Sequence, residues 1–328
     1  MVDVTGIGSW PGTDVREALR VVGGELAGGA PEGVRAVPYL PELPARGPGA
    51  DLVGRAAHLL VDLPVDLQPQ GWRLVDRPGR DAERAASLLA QDLDELAEAM
   101  DGYAGPLKVQ VAGPWTLAAS LWRPLGDRVL DDAGATRDVV VSLAEGVAAY
   151  LDRVQRLVPG AELILQVDEP SLTAVLLGRI PSESGYRVLR TPERGEAVTA
   201  LQQVLDQPGA QVCGVHTCAA DPPVGVLAES GAGFLALDLA QVGRARFEQV
   251  AAAVEDGRRL WAGVEAGATD PLEPLLRRWH EAGLPAAALA DVGLTPACGL
   301  ASASPAGALK TTRALSQAAL RLAEAAVA

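Results

Sequence analysis

The chain has 328 residues, 48% of them hydrophobic and 21% charged, and a formal net charge of −14. This length and composition suit a globular protein with a sizeable core and exclude a disordered one. The acidic balance argues against nucleic acid, anionic membranes and polyanionic substrates as partners. The opening MVDVTGIGSWPG has no basic segment followed by an apolar one, and no run reaches the roughly 18 apolar residues of a spanning helix. A cytoplasmic protein without a membrane or nucleic-acid partner is expected. In that compartment its three cysteines are free thiols or metal ligands rather than disulfides.

Taken in chain order, short Val-, Ile- and Leu-rich runs alternate with amphipathic stretches. Strands are predicted near 3–9, 35–43, 107–113, 163–168, 211–217, 234–239, 259–265 and 287–292. Helical periodicity is clearest at 81–101, 135–157, 244–256, 271–282 and 305–326, the last with Ser304 placed as cap and Pro305 in its first turn. The long 44–106 interval is a connection carrying small elements of its own, such as GWRLVD. Eight strands alternating with helices predict an α/β fold, a single (β/α)8 TIM barrel over 1–328 forming one domain. A doubly wound open sheet is the competing arrangement.

In a barrel the reactive groups lie at the C-terminal strand ends. The chemically distinctive residues fall there: Gly8 and Ser9, Glu42, Asp168 and Glu169, His216 and Cys218, Asp238, and Cys298 in the loop after strand eight. In an extended segment residues i and i+2 share a face, so His216 and Cys218 can point together while Cys213 faces the other way. With Cys298 they make an imidazole and two thiolates, a soft donor set suited to Zn2+. Cys298 stands among Gly, Ala, Ser and Pro, in a loop able to swing a ligand in and out. Asp238 ends an apolar run, where a bare carboxylate is costly without a partner and a cation would be one. A lone HxC is weak support, a buried cysteine is often only a small hydrophobe, and a strand-end Asp often caps a helix. His58 and His280 sit in mixed helical surroundings and read as ordinary residues. GIGSWPG lacks the pattern of a phosphate loop.

The stretches TGIGSWPGT (5–13), VAGPWTL (111–117), LQVDEPSL (165–172), VHTC (215–218) and ACGL (297–300), in that order, resemble the catalytic domain of cobalamin-independent methionine synthase. The resemblance implies a (β/α)8 barrel that binds zinc and methylates the thiol of homocysteine. By position it makes His216, Cys218 and Cys298 zinc ligands, with Asp238 where the family usually has Glu. It assigns the substrate carboxylate to the backbone of Ile7, Gly8 and Ser9, and the ammonium to Asp168 with Glu42 as a second anionic partner.

The departures from the family are specific. The full-length enzymes carry a further N-terminal barrel. Ala119 and Ser120 stand near where the family has a folate-side Trp, Ser171 to Ala174 lack a further carboxylate, and 261–269 lack the strand-seven histidine. The resemblance is therefore to a short, single-barrel branch, for which it implies a methyl-corrinoid donor, either methylcobalamin or a corrinoid protein. The expected function is a zinc-dependent S-methyltransferase making methionine from homocysteine. A zinc alkyltransferase for another small thiol and a non-catalytic zinc- or corrinoid-binding barrel are the alternatives. A metal-free decarboxylase of the related porphyrin-processing barrels would have no use for the HxC and remote Cys.

Overall fold

The computed structural model describes residues 1–28 and 31–327. From the N-terminus, β1 (Val2–Val4), α1 (Val15–Leu26) and β2 (Val34–Ala36) precede α2 (Leu52–His58). An antiparallel hairpin of β3 (Val65–Gln68) and β4 (Gly71–Leu74) leads to α3 (Arg80–Ala99). Then come β5 (Gly105–Ala112), α4 (Pro114–Ser120), α5 (Ala133–Leu157), β6 (Ala161–Asp168), α6 (Leu172–Leu176) and α7 (Arg194–Leu205). The last third holds β7 (Val212–Thr217), α8 (Val224–Glu229), β8 (Phe234–Asp238), α9 (Arg244–Glu255), β9 (Arg259–Val264), α10 (Glu273–Glu281), β10 (Gly293–Pro296) and α11 (Pro305–Ala325). The helices form where the periodicity and caps place them. In α1, the Asp14 side chain accepts the Glu17 N–H, and Val15, Ala18, Leu19, Val22 and Leu26 bury one face. In α11, Ser304 accepts the Gly307 N–H with Pro305 in the first turn. Among the described residues no helix is long and apolar enough to cross a membrane.

Eight strands form one parallel sheet in the order β2-β1-β10-β9-β8-β7-β6-β5. The sheet curls until its edges meet. The chain just after β2 touches β5 in a single parallel bridge, Tyr39 to Lys108, with the Leu40 N–H on the Lys108 carbonyl at 3.0 Å. The ladder is not continuous there, so the closed barrel expected from the sequence is observed as a curled eight-stranded sheet whose edges share one bridge. Pro38 and Pro41 explain the interruption, since neither can donate to a ladder.

Three strand predictions need correction. The runs expected over 3–9 and 35–43 are regular only at Val2–Val4 and Val34–Ala36. The stretch expected as strand eight, 287–292, lies almost wholly in a 3-10 helix, Ala286–Asp291, and the strand follows at Gly293–Pro296. Alanine-rich AAALAD has little to pack on a pleated surface. Gly293, by contrast, lets the Trp261 ring lie against the strand, because a Cβ there would come within 2.3 Å of it.

The sheet separates two apolar cores. The larger lies between sheet and helices; the smaller, inside the curl, contains Val37, Ile164, Phe234, Ala236 and Trp261. Phe234 and Trp261 stack with ring centroids 3.9 Å apart. At the N-terminal end of the strands, buried Asp3 accepts from Arg35 (2.7 Å), Arg259 (2.9 Å) and the Trp261 indole (3.2 Å). Ion pairs and stacked rings thus fill the base of the curl, leaving the C-terminal ends of the strands free to build a cavity.

Candidate functional site

Register brings the polar residues together. Asp168, the last residue of β6, and His216, the penultimate residue of β7, are partners in the ladder between these strands. Their side chains meet, with His216 Nδ1 2.7 Å from Asp168 Oδ1 and both residues buried. A carboxylate on Nδ1 fixes the proton there, so the neutral ring carries its lone pair on Nε2. That Nε2 is buried and has no hydrogen-bond partner. Cys218 follows β7 by one residue and Cys298 follows β10 by two; their sulfurs lie 2.7 Å apart. The two thiols are within hydrogen-bond distance, and either can donate. Cys298 is pushed down to about 6, chiefly by the hydrogen bond from Cys218, and Cys218 is raised in return by the same contact and by burial. One proton therefore leaves more readily than from a lone thiol, and the second with difficulty.

These groups share one cavity of about 290 Å³ with Ile7, Ser9, Glu42 and Gly299, and Pro44, Ala50, Leu52 and Pro170 supply apolar wall. Gly8 has φ of +150°, and a Cβ there would sit 2.8 Å from the Gln110 side chain. Gly299 lies so close to Ser9 that a Cβ would be 2.0 Å from its hydroxyl, and the Leu300 N–H donates to the Ser9 carbonyl. The Glu42 N–H donates to the Gly8 carbonyl at 3.0 Å, and the Trp10 N–H to the Glu42 carbonyl at 2.7 Å. The GIGS segment is thus held between the Cys298 loop and the Glu42 segment.

Burial raises the Glu42 carboxyl above its ordinary range, and Arg55, 3.5 Å away, opposes the rise. Arg55 in turn contacts Asp92, which pairs with Arg46 at 2.7 Å, so a chain of buried charges backs Glu42. Glu169 is pushed up to about 7 by burial, restrained by three donors: the Trp115 N–H, the Thr116 N–H and the Thr116 hydroxyl.

Of the nine residues assigned to substrate or metal from the sequence, Ile7, Ser9, Glu42, Asp168, His216, Cys218 and Cys298 line the cavity, and Gly8 lies between two that do. Asp238 does not line it. Its Oδ1 accepts the Ala240 N–H and caps a 3-10 turn, Leu239–Gln241. Cys213 packs against the helix-facing core, opposite to His216, as strand parity requires. His58 and His280 are not among the residues that line the cavity.

An unpartnered imidazole nitrogen and two sulfurs are the donor types zinc prefers. Among the described residues, however, no three His, Cys, Asp or Glu side chains converge tightly enough to hold a metal as they stand. Two sulfurs on one tetrahedral zinc lie about 3.8 Å apart, from bonds of ~2.3 Å. Cys218 and Cys298 would have to part by roughly 1 Å, a movement the Cys298 loop must supply. The donor types are those of a zinc site, and closing on a metal would require that movement.

The sequence reading did not single out the polar floor beneath the cavity: Lys108, Gln110 and Gln166, with Arg55 behind Glu42. Lys108 is fully buried, and burial lowers its ammonium to about 8 against the opposing pull of Asp168 and Glu42. The signal was present in LKVQVAG and LILQVD, where polar residues alternate with apolar ones in strands whose other face is covered by helices.

No protein-family description matches the chain, and no curated protein does. Solved structures do. A methyltransferase from Methanosarcina mazei aligns over 94% of this chain and 84% of its own, at 16% identity and a TM-score of 0.53. A B12-independent methionine synthase from Shewanella sp. W3-18-1, in complex with selenomethionine, aligns over 77% of this chain and 70% of its own, at 15% identity and a TM-score of 0.47. At 16% identity the likeness to the Methanosarcina mazei protein is one of fold.

Proposed function

We propose that the chain is a zinc-dependent S-methyltransferase built on a (β/α)8 barrel, converting homocysteine to methionine with a methyl-corrinoid donor. The observation that carries this reading is the His216 imidazole, held through Nδ1 by Asp168 with a buried, unpartnered Nε2, in the same cavity as the paired thiols of Cys218 and Cys298. The fold neighbour described as a methyltransferase points to the same class of reaction.

His216, Cys218 and Cys298 would hold the metal; Asp238, which lies outside the cavity lining and caps the next turn through Oδ1, would need its free Oδ2 brought to the site to join them. Zinc bound there would supply the positive charge that makes a substrate thiol a thiolate near neutral pH. The chain's own residues do the rest by placement. The Ile7–Ser9 backbone receives the carboxylate, and Asp168 and Glu42 face the ammonium. Both protein contacts to the Asp168 carboxylate use Oδ1, so the two roles of this residue are compatible. The apolar wall of Pro44, Ala50, Leu52 and Pro170 excludes water around the sulfur. A methyl-corrinoid would supply the methyl group to that thiolate and keep the electron pair of the broken bond. That leaving group needs no proton, which accommodates the absence of histidine from 261–269.

The test is to measure bound zinc in protein purified without chelators, then assay methyl transfer to homocysteine from methylcobalamin and from methyl-folate. Stoichiometric zinc and methionine formed from methylcobalamin are expected. Zinc-free protein would sink the reading, and stoichiometric zinc without any methylated product would favour a binding protein.

A further inference from the structure

Lys108 is the one fully buried lysine on the inner face of the sheet, and among the described residues it forms no ion pair within 4.0 Å. A buried ammonium without a carboxylate in contact is costly, so what it touches is informative. Its Nζ donates to the Ile7 carbonyl at 2.8 Å and to Gln110 Oε1 at 3.2 Å, and lies 5.2 Å from the Tyr39 ring centroid. The Ile7 carbonyl also accepts from Gln166 Nε2 at 2.7 Å. The same Gln166 nitrogen donates to Asp168 Oδ1 at 2.8 Å, the oxygen that holds His216. Gln110, the other partner of Lys108, donates to the Leu40 carbonyl and packs beneath Gly8.

The Ile7 carbonyl is therefore drawn inward by two donors. The peptide between Ile7 and Gly8 is planar and trans, so its N–H points opposite to its C=O. Pinning the Ile7 carbonyl inward turns the Gly8 N–H outward, toward the cavity lined by Ile7 and Ser9. Gly8 makes the pinning necessary. Without a side chain the segment has freedom to rotate this peptide, and its φ of +150° lies where other residues rarely go.

We propose that Lys108 is a positioning residue that locks the Ile7–Gly8 peptide with its N–H facing the cavity, making this peptide the receptor for the α-carboxylate of an amino-acid substrate. The inference rests on the amino-acid reading given above. It adds that specificity for a free carboxylate originates in a buried amine that never touches the substrate.

The test uses zinc-loaded protein and two ligands that need no methyl donor, L-methionine and L-methioninol, which lacks only the carboxylate. Titration calorimetry on the wild type should show methionine binding about tenfold or more tighter, the worth of a charge-assisted hydrogen bond. In Lys108→Met the preference should fall to within about threefold, with methioninol affinity and zinc content unchanged. A Lys108→Met protein that folds, holds zinc and keeps the wild-type ratio would overturn the proposal. A readout independent of any variant is hydrogen exchange at the Gly8 amide, which should become protected by methionine and not by methioninol. Equal protection by both ligands would also overturn it. A wild-type protein that binds neither ligand defeats the amino-acid reading itself, a result distinct from either failure of the lysine's role.

Discussion

At the scale of single residues, the Asp168 carboxylate sets what its neighbours can do. By holding His216 Nδ1 it fixes the tautomer and aims the lone pair. Asp168→Asn keeps the shape and removes the charge, and zinc affinity should fall about 10–100-fold, measured by competition with a chromophoric chelator. Unchanged affinity would mean that His216 is not oriented for a metal. Glu169 makes a separate prediction. Its folded value of about 7 lies above that of an ordinary carboxyl. Between about pH 4.5 and 7 the folded chain keeps a proton that the unfolded chain has released, so its contribution is complete below that window and is lost as pH rises through it. The loss amounts to roughly 3 kcal/mol at most. Melting temperatures of Glu169→Gln should therefore vary less between pH 5 and 8 than those of the wild type; parallel curves would refute the assignment.

At the scale of elements, the inner face of β7 carries both halves of the design. Val212 joins the inner apolar core, Gly214 admits a ring, and His216 faces the cavity. A Cβ on Gly214 would lie 2.4 Å from the Phe234 ring, which is itself stacked on Trp261. Gly214→Ala should cost about 1–3 kcal/mol in urea denaturation, because an overpacked core must shift backbone or leave its rotamers. Much of the site was legible at this scale. The parity of His216 and Cys218 against Cys213 follows from a period of two, and the clustering of strand ends from the parallel alternation of strands and helices. Strand eight was not, because AALADV and its flanking alanines carry no alternation that separates a 3-10 helix from a strand. Lys108 and Gln110 were readable in principle, as inward polar positions in a doubly covered strand, but their hydrogen-bond partners lie on other strands and appear only in three dimensions. Asp238 shows the opposite limit: its position at a strand end was legible, whereas its preference for the Ala240 N–H was not.

For the whole molecule, the curled sheet has chemically unlike ends. Asp3 ties β1 to residues from β2 and β9 across the base. Asp3→Asn leaves Arg35 and Arg259 without their shared anion and should lower stability by about 3 kcal/mol or less, since both arginines are partly hydrated. Thermal unfolding measures it, while zinc binding at the far end should remain within error of the wild type. A loss of zinc binding in a folded Asp3→Asn protein would show that base and cavity are coupled. The alternation of strands and helices announced this architecture, but the meeting of its edges in one Tyr39–Lys108 bridge depends on prolines whose effect on a ladder is local.

The packed base also has a kinetic meaning. A vessel stoppered at one end fills and empties through a single mouth, so whatever reaches deepest enters first and departs last. A cavity of about 290 Å³ accommodates a small amino acid but not a corrinoid, which could only settle over the opening. For the proposed reaction, turnover should therefore follow a compulsory order, with the thiol ahead of the methyl donor. Excess donor should act as a lid that slows amino-acid exchange, measurable as inhibition that high homocysteine relieves.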